Sequence, residues 1–131
     1  MYLSQTSMTQ LREAVEKEGG FQIALAPMQP ATFLNVEIAT DKLYQQLVGK
    51  GLKVLVDDRG QKPKNMFEVI EFLAIRHRVV ISSRSISAGV YEYKDLQTGH
   101  FSKIKEADAF DFFTKLTCLV CYKLYFALLT I

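Results

Sequence analysis

The sequence has few of the residues that mark fibrous, cross-linked or linker-like chains. Three prolines and seven glycines in 131 residues exclude a collagen-like chain and a flexible linker. Two cysteines are too few for a disulfide framework, and they indicate a reducing compartment, which we take to be the cytoplasm. Apolar residues make up 49% of the chain and charged residues 23%, which is typical of one globular domain.

Motifs of the common catalytic and metal sites are also missing. There is no G-x-S-x-G nucleophile elbow, and the glycine pair at residues 49–51 ends a predicted helix, whereas a phosphate loop begins one. Cys118 and Cys121 lack a second cysteine pair, and His77 and His100 are not at ligand spacing from them. We therefore expect two buried thiols, no metal, no cofactor and no catalytic residues.

Positive charge is concentrated in the middle of the chain. The net charge of +2 does not by itself indicate a nucleic-acid partner. Residues 50–105, however, contain eleven Lys and Arg against six Asp and Glu. Because this segment also contains Phe67 and Glu71, it has groups that bind phosphates, stack on bases and accept hydrogen bonds. A surface for single-stranded RNA and an ordinary solvated helix face both remain open at this point.

Apolar runs predict the strands of an α/β domain. Residues 21–28, 52–56 and 78–81 are apolar throughout or nearly so, as buried parallel strands are. Residues 90–94 and 100–104 alternate around a turn, which is typical of an antiparallel hairpin. The sequence therefore predicts a mostly parallel sheet with a hairpin at one edge.

Helices are predicted before, between and after these strands. Their expected positions are residues 9–17 behind a Ser7–Gln10 capping box, residues 36–47 with apolar residues at helical spacing, residues 66–73, and residue 107 onward. The last of these continues into a nearly all-apolar segment, residues 116–131, which is too short and too interrupted for a membrane span. We expect that segment to pack on the domain or on a partner, and we expect no membrane association.

Asp57 and Asp58 follow the second predicted strand, where ligands bind in open α/β sheets. An acidic pair can bind magnesium, act as an acid and a base, or accept a phosphoryl group as in receiver domains. The acidic triad of receiver domains is incomplete here, and neighbours on an extended strand point to opposite faces. We therefore expect one carboxylate to brace the following turn.

Several of these segments together resemble the C-terminal anticodon-binding domain of class IIa aminoacyl-tRNA synthetases, most closely the bacterial prolyl branch. The resemblance covers about residues 20–112. The residues that carry it are GLKVLVDDR at 51–59, KP at 62–63, MF at 66–67, EFLAI at 71–75, RVVI at 78–81, GVYEYK at 89–94 and TG at 98–99.

The resemblance implies a three-layer α/β/α fold with a five-stranded mixed sheet, in which one strand runs against the rest. It also implies an anticodon-binding domain at residues 21–112. Outside that domain we expect an N-terminal helical extension at residues 1–20 and an apolar C-terminal helix or tail at 113–131, neither of which resembles the family. By position, the residues expected to contact tRNA are Pro27, Met28, Asp58, Arg59, Lys62, Phe67, Glu71 and Arg78. Asp57 is expected to brace the loop.

The implied function is binding of the tRNA anticodon loop, in support of tRNA selection for aminoacylation. The chain alone would not be an enzyme, because the aminoacylating site of the family lies in a separate catalytic domain; a parent protein would be a proline–tRNA ligase. The alternative is a free-standing, diverged relative that acts as a protein-interaction or accessory-subunit domain. Further partners would be a synthetase catalytic domain or a second copy bound through the apolar tail.

Overall fold

The computed structural model describes residues 1–116, in which five strands form one mixed sheet. The strands are β1 (Ile23–Pro27), β2 (Val54–Val56), β3 (His77–Ile81), β4 (Val90–Asp95) and β5 (Phe101–Lys105). Their order across the sheet is β2-β1-β3-β4-β5. Strands β1, β2 and β3 are parallel, and β4 is antiparallel to both of its neighbours. One strand thus opposes the rest, which confirms the expected sheet.

Helices lie on both faces of the sheet, which confirms the three-layer arrangement. They are α1 (Met8–Glu18), α2 (Leu34–Gly49), α3 (Pro63–Phe72), α4 (Ser83–Ser87) and α5, which begins at residue 106 and is described to residue 116. The capping box predicted from Ser7 and Gln10 is present at the start of α1. A single 3-10 turn, Leu3–Gln5, precedes that helix.

Side chains along each strand point alternately to the two faces of the sheet, so the core has two layers. On one face, α2, α4 and α5 cover a large cluster with these members among others: Ile23, Leu25, Leu43, Leu47, Val56, Val79, Tyr93 and Phe113. On the other face, α3 covers a smaller cluster: Ala24, Ala26, Leu55, Met66, Ile70 and Ile75. Alanines on β1 allow α3 to lie close to the sheet over β1 and β2, and β4 and β5 extend beyond that cover.

Two helical features differ from expectation. Helix α3 begins at Pro63 rather than at residue 66, because proline at the first helical position has a suitable φ and needs no amide partner. Helix α4 was not expected, since its five residues, SRSIS, have too few apolar positions to show a period. Its start is instead defined by a reciprocal capping box between Ser82 and Ser85.

The C-terminal part of the chain is described only as far as residue 116. Cys118, Cys121 and most of the predicted apolar tail lie outside the described residues. Within the described part, no helix combines the length and apolarity that a membrane crossing requires. Nor do His, Cys, Asp or Glu side chains within residues 1–116 form a group of three or more that could hold a metal ion.

Candidate RNA-binding surface

The loop after β2 is braced by its first acidic residue. Asp57 is buried, and its two oxygens accept hydrogen bonds from Nε and a terminal nitrogen of Arg59, each at 2.8 Å. This carboxylate raises the pKa of the Arg59 guanidinium. Asp57 therefore braces the loop as predicted, and it holds Arg59, whose side chain is 36% exposed, at the surface beyond the end of the strand.

The second acidic residue has a different partner. Asp58 is half-buried, and its carboxylate accepts hydrogen bonds from the backbone N–H of Ser4, at 2.9 Å, and from the Ser4 hydroxyl. The two neighbouring carboxylates thus bind different groups and do not form a shared metal site or acid–base pair.

A second group of predicted residues meets on the α3 side of the sheet. The guanidinium carbon of Arg78, on β3, lies 3.8 Å from the centroid of the Phe67 ring on α3, which is cation–π distance. Glu71 lies one helical turn after Phe67, and its charge also acts on Arg78. Burial lowers the pKa of the Arg78 guanidinium, an effect that Glu71 opposes. The Nε of Arg78 is buried, and within residues 1–116 it has no hydrogen-bond partner.

The remaining predicted residues lie around these two groups. Lys62 is exposed and immediately precedes α3. Pro27 is buried at the end of β1 beside Ile81. Met28 donates its backbone N–H to Ile81 and packs in the same cluster as Phe67. Pro27 thus offers little side-chain surface, whereas Met28 is partly accessible.

The strand register relates the two groups to each other. Ala24 on β1 pairs with both Leu55 on β2 and Arg78 on β3, so Arg78 lies level with a residue two positions before Asp57. Asp58, Arg59 and Lys62 therefore lie at the carboxyl end of the sheet, and the group of Phe67, Glu71 and Arg78 lies on its face. The hydrogen bonds and ring contacts described above for residues within 1–116 do not join one group to the other.

The structure adds residues to this face that sequence reasoning missed. Arg78 pairs with Lys94 on β4, and Lys94 pairs with Phe101 on β5, so the three side chains form one row across the sheet. Lys103 lies in the adjacent row, opposite Glu92. Phe101 is 52% exposed. We define the open face as Phe67, Arg78, Lys94, Phe101 and Lys103. The alternating pattern of β4 and β5 in the sequence was the signal that could have placed their residues on this face.

The hairpin that carries Lys94 is held by a charged contact. Asp95 accepts two hydrogen bonds from the Arg76 guanidinium, at 3.1 and 2.9 Å, and one from the Gln97 backbone at 2.9 Å. The Arg76 bond is the main reason that the pKa of Asp95 lies well below its usual value. This contact fixes the end of β4, and with it the row of side chains next to Arg78.

A cleft at the carboxyl ends of β1 and β2, which Pro27 and Asp58 help to line, has the opposite charge. It has a volume of about 500 Å³, and its other lining residues include Tyr2, Glu37 and Asp41. Its lining includes no Lys or Arg from the described part of the chain. Because phosphates require positive partners, the cleft does not suit a nucleic-acid backbone, and the open face does.

Most of the described part of the chain is similar to known proteins. The family model described as "Anticodon binding domain" matches residues 22–116. The proline–tRNA ligase of Polaromonas naphthalenivorans (strain CJ2) is 40% identical over 92 residues, which is 70% of this chain and 16% of that protein.

A second relative has a similar extent. The proline–tRNA ligase of Albidiferax ferrireducens is 42% identical over 74 residues, 56% of this chain and 13% of that protein. The matched segment thus covers less than a fifth of the length of either relative. The family match includes the loop after β2, α3 and the β3–β4–β5 part of the sheet. The chain belongs to the anticodon-binding domain family.

Proposed function

We propose that this chain binds the anticodon loop of a tRNA, with preference for proline tRNA, and thereby supports tRNA selection in aminoacylation. Family membership over residues 22–116 supports tRNA as the partner. The names of the two relatives support proline tRNA among tRNAs. The observation that carries the proposal is the cationic, aromatic open face. There Arg78 stacks on Phe67, and Lys94 and Phe101 lie beside Arg78 in one row across the sheet.

The residues on the face of the sheet and the residues of the loop after β2 have complementary roles in this proposal. Unpaired bases need stacking surfaces, which Phe67 and Phe101 offer on the open face, and fixed hydrogen-bond partners, which Glu71 offers one helical turn after Phe67. Phosphates need cations that are not fully neutralised within the protein, and Lys62 is an exposed lysine of this kind. Arg59 retains exposed surface although it pairs with Asp57.

The chain works in this proposal as a binding module and not as an enzyme. The aligned segment is a small part of each proline–tRNA ligase, which leaves most of those proteins for other domains. We propose that a class II synthetase catalytic domain, on the same or another chain, is the partner that uses the bound tRNA. A cytoplasmic location follows from that partnership.

The direct experiment is a fluorescence-anisotropy titration of labelled proline tRNA and of an unrelated tRNA with the full chain at one fixed salt concentration. We expect saturable binding that is at least several-fold tighter for proline tRNA. Equal affinity for the two tRNAs would remove the specificity claim, and absence of binding to both would remove the function.

The loop residues are tested by the salt dependence of the same titration. Arg59→Ala and Lys62→Ala should each weaken binding and flatten the plot of log affinity against log salt by about 0.7 for each phosphate that the variant no longer binds. Lys53→Ala is the matched control, because Lys53 is exposed at the opposite end of β2. A loss of slope for Lys53→Ala as large as that for Lys62→Ala would show non-specific charge attraction.

A further inference from the structure

Residues 1–6, here the N-terminal strap, lie along the free edge of β2. The backbone N–H of Val56 donates to the carbonyl of Met1 at 2.9 Å, and Tyr2 forms a parallel bridge with Val56. The Tyr2 hydroxyl donates to Asp41 on α2 at 2.6 Å, and its ring packs on Tyr44 with centroids 4.7 Å apart. The strap is therefore attached to β2 and α2 on the side next to the loop that carries Asp58.

Ser4 is the strap residue that reaches the candidate site. Its N–H donates to Oδ1 of Asp58 and its hydroxyl to Oδ2, so each carboxylate oxygen receives one donor. A pair of adjacent donors is also what the edge of a nucleobase with an amine beside a ring N–H presents to a carboxylate. Ser4 thus occupies the acceptors that a base would use at Asp58.

We propose that Ser4 is an internal competitor for Asp58, and that the N-terminal strap lowers the affinity of the chain for tRNA until Ser4 is displaced. The inference rests on the proposed function, because it concerns the regulation of the same site. It explains why a residue expected to contact tRNA is already paired. It also assigns a role to residues that precede the family match, which begins at residue 22.

The contact has the properties of a displaceable one. Ser4 is exposed, and both of its hydrogen bonds to Asp58 lie at the surface. Asp57, in contrast, is itself buried and is held by two hydrogen bonds from Arg59, so it remains in place when the neighbouring carboxylate changes partner. When part of a protein population has its site occupied internally, the apparent dissociation constant rises by the inverse of the competent fraction.

The first experiment removes the hydroxyl and keeps the backbone. Ser4→Ala should bind proline tRNA about three- to tenfold more tightly than the wild type, since it loses one of the two donors to a charged acceptor. Ser87→Ala, at an exposed position on α4, is the control for loss of a serine hydroxyl. The gain should disappear when Asp58→Ala is also present, because the competition then has no target.

A second measurement follows the strap without relying on affinity. If tRNA and Ser4 compete, bound tRNA must weaken the strap by the same factor, so hydrogen exchange at the Val56 amide should become faster in the complex. The competitor role would be overturned if Ser4→Ala bound tRNA no more tightly than the wild type does. It would also be overturned if hydrogen exchange at the Val56 amide became slower when tRNA binds. Either result would leave the proposed function intact. Failure of both wild type and Ser4→Ala to bind tRNA would overturn both.

Discussion

The guanidinium of Arg78 lies over the ring of Phe67, 3.8 Å from the ring centroid. The Nε of Arg78 is buried and has no hydrogen-bond partner among the residues that the structure describes. Burial of a charged group with an unpartnered donor costs stability, and burial lowers the pKa of Arg78 for the same reason. A buried donor without a partner in a native protein calls for an explanation, and functional sites are places where proteins keep such costly groups. We therefore expect Arg78 to be required for tRNA binding and not for the stability of the fold.

Arg78→Met tests that separation. We expect tRNA affinity to fall about 5- to 150-fold, in line with the loss of a stacking and charge contact of about 1–3 kcal/mol. The melting temperature should stay unchanged or rise, because an apolar side chain on Phe67 removes the unpartnered donor. Anisotropy and thermal unfolding of the same preparation measure both quantities. A large fall in melting temperature would show that Arg78 supports the fold and would remove the argument for binding.

Two exposed phenylalanines test the position of the surface. Phe101→Ala should weaken tRNA binding about fivefold or more, since Phe101 continues the row that begins at Arg78. Phe72→Ala is the matched control, because Phe72 is 88% exposed but lies beside α1 in a groove with Met8 and Leu11. Affinities measured for both variants at one salt concentration decide the matter. Equal losses would indicate general hydrophobic attraction in place of a defined face.

The pH dependence of stability should have a component from His77. This side chain is buried and its Nδ1 lies 2.7 Å from the Tyr93 hydroxyl. Burial, and secondarily the charge of Arg76, lowers the His77 pKa below 6.5 in the folded state. The unfolded chain therefore binds the proton more tightly than the folded chain does. As a result, the free energy of unfolding decreases as pH falls from 6.5 towards the folded-state pKa of His77, by at most about 1.4 kcal/mol per pH unit.

Urea unfolding between pH 8 and 5 measures this component. His77→Gln should lose the corresponding part of the pH dependence. A His77→Gln profile that matches the wild-type profile across this pH range would contradict the assignment.

The order and type of most elements were predictable because burial imposes a period on the sequence. Val36, Ala39, Leu43 and Leu47 are all buried on one side of α2, as their spacing predicts. The brace formed by Asp57 was also predictable, since its partner is only two residues away. Local patterns therefore give the elements and the turns between them.

The parts of the site that were missed depend on contacts between distant residues. Ser4 and Asp58 are 54 positions apart, and nothing in either local sequence indicates that they meet. The row formed by Arg78, Lys94 and Phe101 depends on strand register, which alternation alone does not determine. A side-chain period shows which face a residue occupies, but the pairing of strands decides its neighbours.

The central claim is that tRNA lies on the open face, and amide chemical-shift mapping tests it most directly. Addition of an anticodon stem-loop of proline tRNA to the isotope-labelled chain should shift the amides of Arg78, Lys94, Phe101 and Lys103. The amides of Val36 and Leu43, on α2 behind the sheet, should stay in place. Shifts concentrated on α2, with the amides of β4 and β5 unmoved, would contradict the account.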